Sequence, residues 1–288
     1  CGFPWFDLIL QLNSDKMRRL IISLCFVFSV LSMICSCGGT SSSNKSGTDS
    51  IMFDSIKMDS TVFLTEDTAG PRCHISLCLT YAKGKNAEYI NDSIIRSGVL
   101  CPDYFSITPQ KISVPEAADS FMTRYLNDYK VDYGSLYKAD KTHGSSYNCE
   151  YIVKTYVSQE AEDYYTYIAN IYSYGGGAHG SSVIITKNIN KKSGKIVSLK
   201  DLFVPGYEIE LNDLIVKNLC KTYNVKNLNE LNEKSIFMGI DVYPSDNFII
   251  NDDGITFIYS PDEIAYHAAG EIRVDISNSE LENLFKKK

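Results

Sequence analysis

The sequence predicts an α+β fold with mostly antiparallel sheets, packed amphipathic helices and two small intertwined subdomains. Three observations support this prediction. The 288 residues are 44% hydrophobic and 22% charged, an ordinary globular composition that can build a hydrophobic core. Several segments alternate apolar and polar residues with the period of a strand, and others repeat with the period of a helix. These segments do not follow the strict βαβ order of a parallel sheet.

The N-terminal residues 1–36 are typical of a targeting signal rather than of a folded domain. Met17 is followed by two arginines and then by an apolar run of about 15 residues, which suits a secretory signal better than the ~20 needed to span a bilayer. Residues 1–16 precede this better start and are expected to be an upstream extension. The alternative is an uncleaved anchor or an unlipidated signal peptide.

The signal ends in a motif that resembles the lipobox of bacterial lipoproteins. Ile34, Cys35 and Ser36 place an apolar and two small residues before Cys37. The resemblance implies cleavage after Ser36 and diacylation of Cys37, which would anchor the chain in a membrane. We therefore expect a protein of the bacterial cell envelope, exposed on the outer membrane or facing the periplasm.

A polar segment follows, and the remaining chain is acidic. Residues 37–52 are predicted to be a flexible tether, because positions 38–50 are polar or Gly and none is apolar. Removing residues 1–36 removes three basic and two acidic side chains, which takes the net charge from −7 to −8. This acidity argues against a nucleic-acid partner, because phosphate binding needs clustered Lys and Arg.

The first half of the predicted fold contains four strands and two helices. Residues 73–81 alternate as a half-buried strand, and Asn86 caps a helix that runs to about Gly98. Ser113 and Glu116 form a capping box before a second helix, whose apolar residues recur at i, i+4 and i+8. Three more strands follow, of which the second is dense in Tyr and Ile: residues 147–157, 164–174 and 183–189.

The second half passes from helix back to sheet. A turn at residues 192–194 leads into a short strand that ends near Leu199. A helical period begins at Glu208, and a weaker helix covers residues 229–238. Ser277 begins a final capped helix. The last strands are predicted over residues 248–250, 255–259 and 271–276, with a turn at 252–254.

Five cysteines remain after the predicted cleavage. An odd number does not indicate a disulfide framework, and the spacing assigns no pair, although one or two bridges can form in an oxidising envelope. No CxxC motif is left among them, so neither a thiolate zinc site nor a thioredoxin-like redox motif is predicted. No metal and no cofactor are expected. The five are Cys73, Cys78, Cys101, Cys149 and Cys220.

The most distinctive local motif is Tyr-Ser-Tyr-Gly-Gly-Gly-Ala-His-Gly at residues 172–180. It lies between two predicted strands, so it is expected to reverse the chain with at least one glycine at positive φ. The β-branched run that follows argues against a phosphate loop, which needs a helix at this point. The candidate binding residues are Tyr172, Tyr174, Gly175, Gly176, Gly177 and His179.

His179 has three interpretations: a structural loop residue, a binding contact, or a catalytic base. A base needs a nucleophile or carboxylate nearby, and Asp262 with Glu263 are the acidic partners considered. These two are otherwise expected at the solvated start of one helical turn. No Ser/His/Asp arrangement is apparent and the other histidines have no metal-ligand spacing, so no catalytic residue and no metal site are assigned.

Several motifs, taken in order, resemble the PdaC/RsiV-type extracytoplasmic domain pair. The resemblance spans about residues 55–285. It implies a PdaC-like α+β domain over residues 53–190, an RsiV-like α+β domain over residues 191–288, and an envelope location. It implies no catalytic residues. The motifs are Gly-Gly-Gly-Ala-His-Gly at 175–180, Ser-Gly-Lys at 193–195 followed by Leu-Lys-Asp-Leu-Phe at 199–203, the strands at 247–250 and 255–259, and Glu-Ile-Ala-Tyr-His-Ala-Ala-Gly at 263–270.

The resemblance suggests a binding role. In that family the pair occurs beside a peptidoglycan deacetylase domain, as the lysozyme-binding ectodomain of an anti-sigma factor, and in uncharacterised lipoproteins. With the acidic charge, it predicts a non-enzymatic binding module for a lysozyme-like protein or cell-wall glycan. The alternatives are a cell-wall or ester hydrolase that uses His179 with an acidic partner, and a purely structural envelope protein.

Overall fold

A six-stranded sheet forms the first part of the fold. The structure, a computed structural model, describes residues 50–105 and 111–287. The strand order of this six-stranded sheet follows the chain, β1-β2-β3-β4-β5-β6, and every pair of neighbouring strands except β2–β3 is antiparallel. The strands are β1 (Ile51–Phe63), β2 (Arg72–Gly84), β3 (Cys149–Ser158), β4 (Tyr164–Tyr174), β5 (Ser181–Asn190) and β6 (Ile196–Val197).

The β2–β3 junction is parallel because two helices separate these strands in the sequence. Helix α1 (Ala87–Ile94) continues as a π-helical turn at Ile95–Val99, and the long helix α2 (Val114–Ala139) follows. A 3₁₀ turn at Gly144–Tyr147 then leads into β3. Such a long connection carries the chain back to the end of the sheet where β2 began, as parallel pairing requires.

Helix α2 begins where the sequence places a capping box. The Ser113 hydroxyl accepts a hydrogen bond from the backbone N–H of Glu116, and the Glu116 carboxylate accepts one from the N–H of Ser113. The helix then buries Ala117 and Phe121 against the sheet, where Val153 also lies in the first core. Burial of this stripe holds the long helix in place.

The second half contains four helices and a smaller antiparallel sheet of order β7-β8-β9. Leu211, Ile215 and Leu219 of the longest of these helices are fully buried and pack in a second core with Phe257 and Val274 of the small sheet. The elements are α3 (Leu199–Leu202), α4 (Tyr207–Tyr223), α5 (Leu228–Glu233), β7 (Phe248–Ile250), β8 (Gly254–Tyr259), β9 (Ile272–Ser277) and α6 (Asn278–Leu281).

Buried polar groups join the two halves. The Asn188 side chain on β5 donates to the Phe248 carbonyl at 2.7 Å and accepts from the Ile250 N–H at 3.2 Å. It also accepts from the Thr166 hydroxyl at 2.9 Å. The Thr186 hydroxyl donates to the same Phe248 carbonyl at 3.0 Å. These bonds satisfy backbone groups that would otherwise be unpaired in the interior, so they fix β7 against β5.

The predicted α+β class is confirmed, and most predicted elements are present. Strand β1 is additional: it was not predicted, and it begins at Ile51, inside the segment assigned to the tether. The helix predicted over residues 229–238 ends at Glu233, because Ser235 and Phe237 adopt positive φ. Residues 1–36, Cys37 and the tether up to residue 49 lie outside the described residues.

The predicted helical turn at Asp262 is wrong. Asp262 has a φ of +68°, which is incompatible with a right-handed helix, and residues 261–263 form a turn instead. A 3₁₀ turn follows later, at His267–Ala269. Ile264 is nevertheless buried in the second core, and Gly270 at a φ of +69° leads into the last strand.

Candidate functional site

The glycine loop, residues 175–180, connects β4 to β5. The Tyr174 hydroxyl at the end of β4 donates a hydrogen bond to the Gly177 carbonyl at 3.0 Å, which closes the loop on itself. Tyr172 packs its ring against Gly180, so closely that a Cβ at position 180 would overlap the ring. The two tyrosines proposed as binding residues therefore also shape the loop.

One glycine of the loop has the conformation that the sequence predicts. Gly176 has a φ of +80°, and a Cβ there would overlap the carbonyl oxygen of Ser146. Gly175 has open space at the same position, and Gly177 has only an ordinary contact with the His179 carbonyl. Gly176 is thus the one of the three consecutive glycines that the loop requires, both for its backbone angles and for its close approach to the 3₁₀ turn at Gly144–Tyr147.

His179 lies at the other end of the loop, in a stacked pair with His267. The ring centroids are 4.2 Å apart and the planes are inclined by 26°. His179 Nδ1 lies 3.1 Å from the Gly180 carbonyl, and His267 Nδ1 lies 2.7 Å from Asp262 Oδ2. Because both partners are acceptors, Nδ1 of each imidazole is the donor in these contacts.

Around this histidine pair, the structure brings together only some of the groups that the hydrolase hypothesis requires. Asp262 bonds His267 rather than His179, and Glu263 accepts from the Ser260 N–H and the Tyr243 hydroxyl. Among the described residues, no hydroxyl or thiol is hydrogen bonded to either of these imidazoles, and no group of three His, Cys, Asp or Glu side chains could hold a metal ion. The pair therefore has an orienting carboxylate but no aligned nucleophile.

A groove of tyrosines and aspartates lies on the other side of the loop, beside Gly175. It is a cavity of about 260 Å³ and is built mainly by helix α2. Tyr125, Tyr129 and Tyr133 follow one another at helical spacing, and Asp128 and Asp132 lie beside them with the same spacing. We call this surface the tyrosine–aspartate groove; its lining residues are Pro102, Tyr104, Tyr125, Asp128, Tyr129, Asp132, Tyr133, Cys149 and Gly175.

Hydrogen bonds hold most of the groove in place. The Tyr104 hydroxyl donates to Asp128 at 2.7 Å, and the Tyr129 hydroxyl donates to the Tyr147 carbonyl at 2.9 Å. Burial, together with the neighbouring Asp128, raises the pKa of Tyr104. The Tyr133 ring packs on Tyr129 and Tyr147, and its hydroxyl has no hydrogen-bond partner in the part of the chain that the structure describes.

The carboxylates of the groove are solvent exposed and face few cations. Within residues 50–105 and 111–287, neither Asp128 nor Asp132 forms an ion pair with Lys or Arg. The Arg124 guanidinium lies over the Tyr104 ring, 5.6 Å from its centroid. The groove therefore combines aromatic rings with two negative charges that can accept a cationic group.

Two further cavities adjoin the predicted site residues. One, of about 230 Å³, is lined by Tyr172 and Tyr174 together with Arg72, Asn148, Cys149 and Glu150. The other, of about 400 Å³, lies along the sheet between Tyr172, Val183 and Pro261. Cys149 lines both the first of these and the tyrosine–aspartate groove, so a single thiol lies between the two.

A larger cavity lies in the second half of the fold, away from the loop. It has a volume of about 730 Å³ and a polar, largely acidic lining that includes Glu160, Asp253, Asp275 and Lys221. It has no aromatic side chain, and its carboxylates are partly engaged, since Asp275 accepts from the Thr256 hydroxyl. The aromatic and acidic groove is therefore the better candidate for a binding site.

The sequence identified the loop but not the groove. The tyrosine and aspartate repeats of α2 were the available signal, since residues four apart share a helix face. In the sequence this helix is interpreted only through its apolar residues at i, i+4 and i+8, so the repeats do not by themselves indicate a groove. No helix among the described residues is long and apolar enough to cross a membrane.

Comparison with known proteins supports the fold and names no function. A solved protein of the DUF3298 family from Bacteroides fragilis is 24% identical, with a TM-score of 0.72, and a second from Pseudomonas aeruginosa is 14% identical, with a TM-score of 0.55. Each alignment covers 82% of this chain and 94% of the other. No curated protein matches the chain. Residues 200–279 match the family model described as protein of unknown function (DUF3298).

Proposed function

We propose that the chain is a non-enzymatic binding module of an envelope lipoprotein, and that its tyrosine–aspartate groove binds a cationic protein of the lysozyme-like class. Cys37 would hold the module at the membrane through its lipid, and the tether would let it extend from the surface. The proposal combines a predicted location, the membrane of the cell envelope, with a surface of the fold, the tyrosine–aspartate groove. Its single most important support is the composition and geometry of the groove.

The groove suits a lysine or arginine side chain from a partner. Asp128 and Asp132 are exposed and form no ion pair with Lys or Arg within the described residues, so binding a cation would break no existing salt bridge. The Tyr133 ring lies beside them, and a cation over its face would gain further stabilisation, whereas the Tyr104 ring already has the Arg124 guanidinium over it. Tyrosine is also among the residues that contribute most to protein interfaces.

The overall charge favours the same class of partner. The chain carries a net charge of −7, and the predicted cleavage leaves it at −8. A negative module attracts a positive protein over distances longer than a contact, which raises the association rate at low salt. The volume of the groove, about 260 Å³, fits one side chain rather than an extended ligand.

The experiment is a calorimetric titration of the purified chain with lysozyme, with lysozyme acetylated on its lysines, and with muropeptides. We expect saturable micromolar binding of native lysozyme and weaker binding of the acetylated form, because acetylation removes the cationic charge. Saturable binding of muropeptides alone would assign the site to cell-wall glycan instead. Absence of binding to all three would refute the proposal.

Paired variants distinguish the contribution of the groove carboxylates to binding from that of the overall negative charge. The double variant D128N/D132N removes two carboxylates of the groove, and D213N/E282Q removes two exposed carboxylates of the second half. Both lower the net negative charge by the same amount. We expect the groove variant to weaken binding by about tenfold or more, equal to about 1.4 kcal/mol, and the matched variant to change it by less than about twofold. Equal effects would show that charge alone is responsible.

A further inference from the structure

Two cysteines that are far apart in the sequence are direct neighbours in the first sheet. Cys73 on β2 and Cys149 on β3 are paired residues of the parallel junction. Paired residues of adjacent strands have Cα atoms about 4.8 Å apart, and their side chains point to the same face. This separation lies within the roughly 4.4–6.8 Å range that a disulfide spans.

The two thiols differ in their access to solvent. Cys73 is completely buried in the first core. Cys149 has 7% of its surface exposed and lines both the tyrosine–aspartate groove and the adjoining cavity with Tyr172 and Tyr174. A small reagent can therefore reach Cys149 from either cavity but can reach Cys73 only through it.

The neighbours of Cys149 favour its thiolate at the accessible position. Cys73 is its partner on the adjacent strand, and the Tyr125 hydroxyl lies 3.4 Å from the Cys149 sulfur. The adjacent Cys73 thiol, with a smaller contribution from Tyr125, lowers the pKa of Cys149, against the opposing effect of burial. The same contact and burial raise the pKa of Cys73. Cys149 is thus the nucleophile of the pair and Cys73 the resolving thiol.

We propose that Cys73 and Cys149 form a dithiol–disulfide redox site that reacts with small external disulfides through Cys149. The Cys149 thiolate attacks one sulfur of R–S–S–R, a Cys149–S–S–R bond forms, and RS⁻ leaves and takes up a proton. Cys73 then loses its proton and attacks the Cys149 sulfur, which releases the second RS⁻. The pair loses two electrons and two protons, and the external disulfide becomes two RSH.

The remaining cysteines of the described chain do not form such a pair. Cys78 faces Lys57 on β1 and Lys154 on β3, and Cys101 is exposed outside the strands. Cys220 is buried in the second core. The proposal is independent of the proposed function, because it depends on the strand register and not on what occupies the groove.

The test treats the purified, folded chain with oxidised glutathione, blocks free thiols with iodoacetamide and maps the linkages by mass spectrometry. We expect a Cys73–Cys149 disulfide in which neither cysteine carries iodoacetamide, with two glutathione thiols released for each such bond formed. In C73S, Cys149 should retain a glutathione adduct. In C149S, Cys73 should remain unmodified. C101S is the matched control and should form the same Cys73–Cys149 linkage.

Two results would overturn the proposal. One is a native chain in which Cys101 acquires glutathione while Cys73 and Cys149 both stay free. The other is C149S in which Cys73 reacts as fast as before. If a variant does not fold, the time course of the native chain decides: the glutathione adduct on Cys149 must appear before the internal disulfide, and an adduct that appears first on Cys73 contradicts the assignment.

Discussion

At the scale of single residues, the loop beside the groove depends on one glycine. Gly176 combines a positive φ with close contact to the Ser146 backbone, and its two glycine neighbours along the chain lack that contact. The run of three glycines predicted a positive φ without saying which residue has it. The choice depends on Ser146, which is remote in sequence and so cannot be inferred from local residues.

A pair of alanine variants tests this account of the loop. Gly176→Ala should destabilise the chain by about 2 kcal/mol, because the new methyl group is strained at positive φ and overlaps the Ser146 carbonyl. Gly177→Ala has room for its methyl group and should cost less than about 0.5 kcal/mol. Urea unfolding curves measure both. Equal midpoints for the two variants would show that the Gly176 contact is unimportant.

The histidine pair shows a second limit of residue-level prediction. His179 and His267 belong to separate motifs, and the hydrolase hypothesis pairs His179 with Asp262 or Glu263 rather than with His267. Their stacking arises because the β4–β5 loop and the 3₁₀ turn at His267–Ala269 meet in the folded chain. Predicting that contact requires the packing of the two sheets, which local pattern does not contain.

At the scale of elements, local signals predicted most helices and strands, and failed where packing is irregular. Strand β1 was not predicted, because its more buried residues do not alternate regularly. They lie at odd positions at first, Ile51 and Phe53, and then at even positions, Ile56 and Met58. An edge strand with little burial has no strong alternation. Helix α2 was predicted from its capping box, but its groove was not, because Tyr104 and Gly175 come from other segments.

The capping box of the last helix predicts a pH dependence. Glu280 accepts from Lys217 of α4 at 2.8 Å and from the N–H and hydroxyl of Ser277. The Lys217 bond, aided by Ser277, lowers the pKa of Glu280 to about 2. A lowered pKa stabilises the folded chain above the unfolded value of about 4.3, and this stabilisation is lost as the pH falls toward 2.

Replacing Glu280 makes that dependence measurable. Glu280→Gln should lower stability at pH 7 by about 1 kcal/mol, a modest amount because solvent screens a surface pair. The difference from the native chain should shrink as the pH falls from about 4.3 toward 2. Glu282→Gln, an exposed neighbour, serves as the control and should have little effect. A constant difference from pH 7 to pH 3 in urea unfolding would contradict the assigned role.

At the scale of the whole molecule, the two sheets are joined by interactions that composition alone cannot predict. The sequence favoured two intertwined subdomains, and the buried side chain of Asn188 links β5 to the backbone of β7. Asn188 has no sequence signal of its own, since buried asparagine is rare and its backbone partners, Phe248 and Ile250, lie in the other half of the chain. The predicted boundary at residues 190 and 191 stays a prediction.

Membrane attachment is the prediction that belongs to the complete chain. If Cys37 is lipidated, Cys37→Ala should abolish incorporation of labelled lipid and release the protein from the membrane fraction. The reason is that a cleaved signal leaves the acyl chains as the anchor. Continued incorporation of labelled lipid in that variant would refute the assignment of Cys37.

The central claim is that the tyrosine–aspartate groove is the contact surface for a cationic protein. The most direct measurement is amide hydrogen exchange of the chain with and without saturating lysozyme, which reports protection along the backbone. The account predicts slower exchange in the complex at residues 121–137 of α2 and at residues 175–177 of the glycine loop. Protection confined to the second half of the fold, residues 191–287, would contradict it.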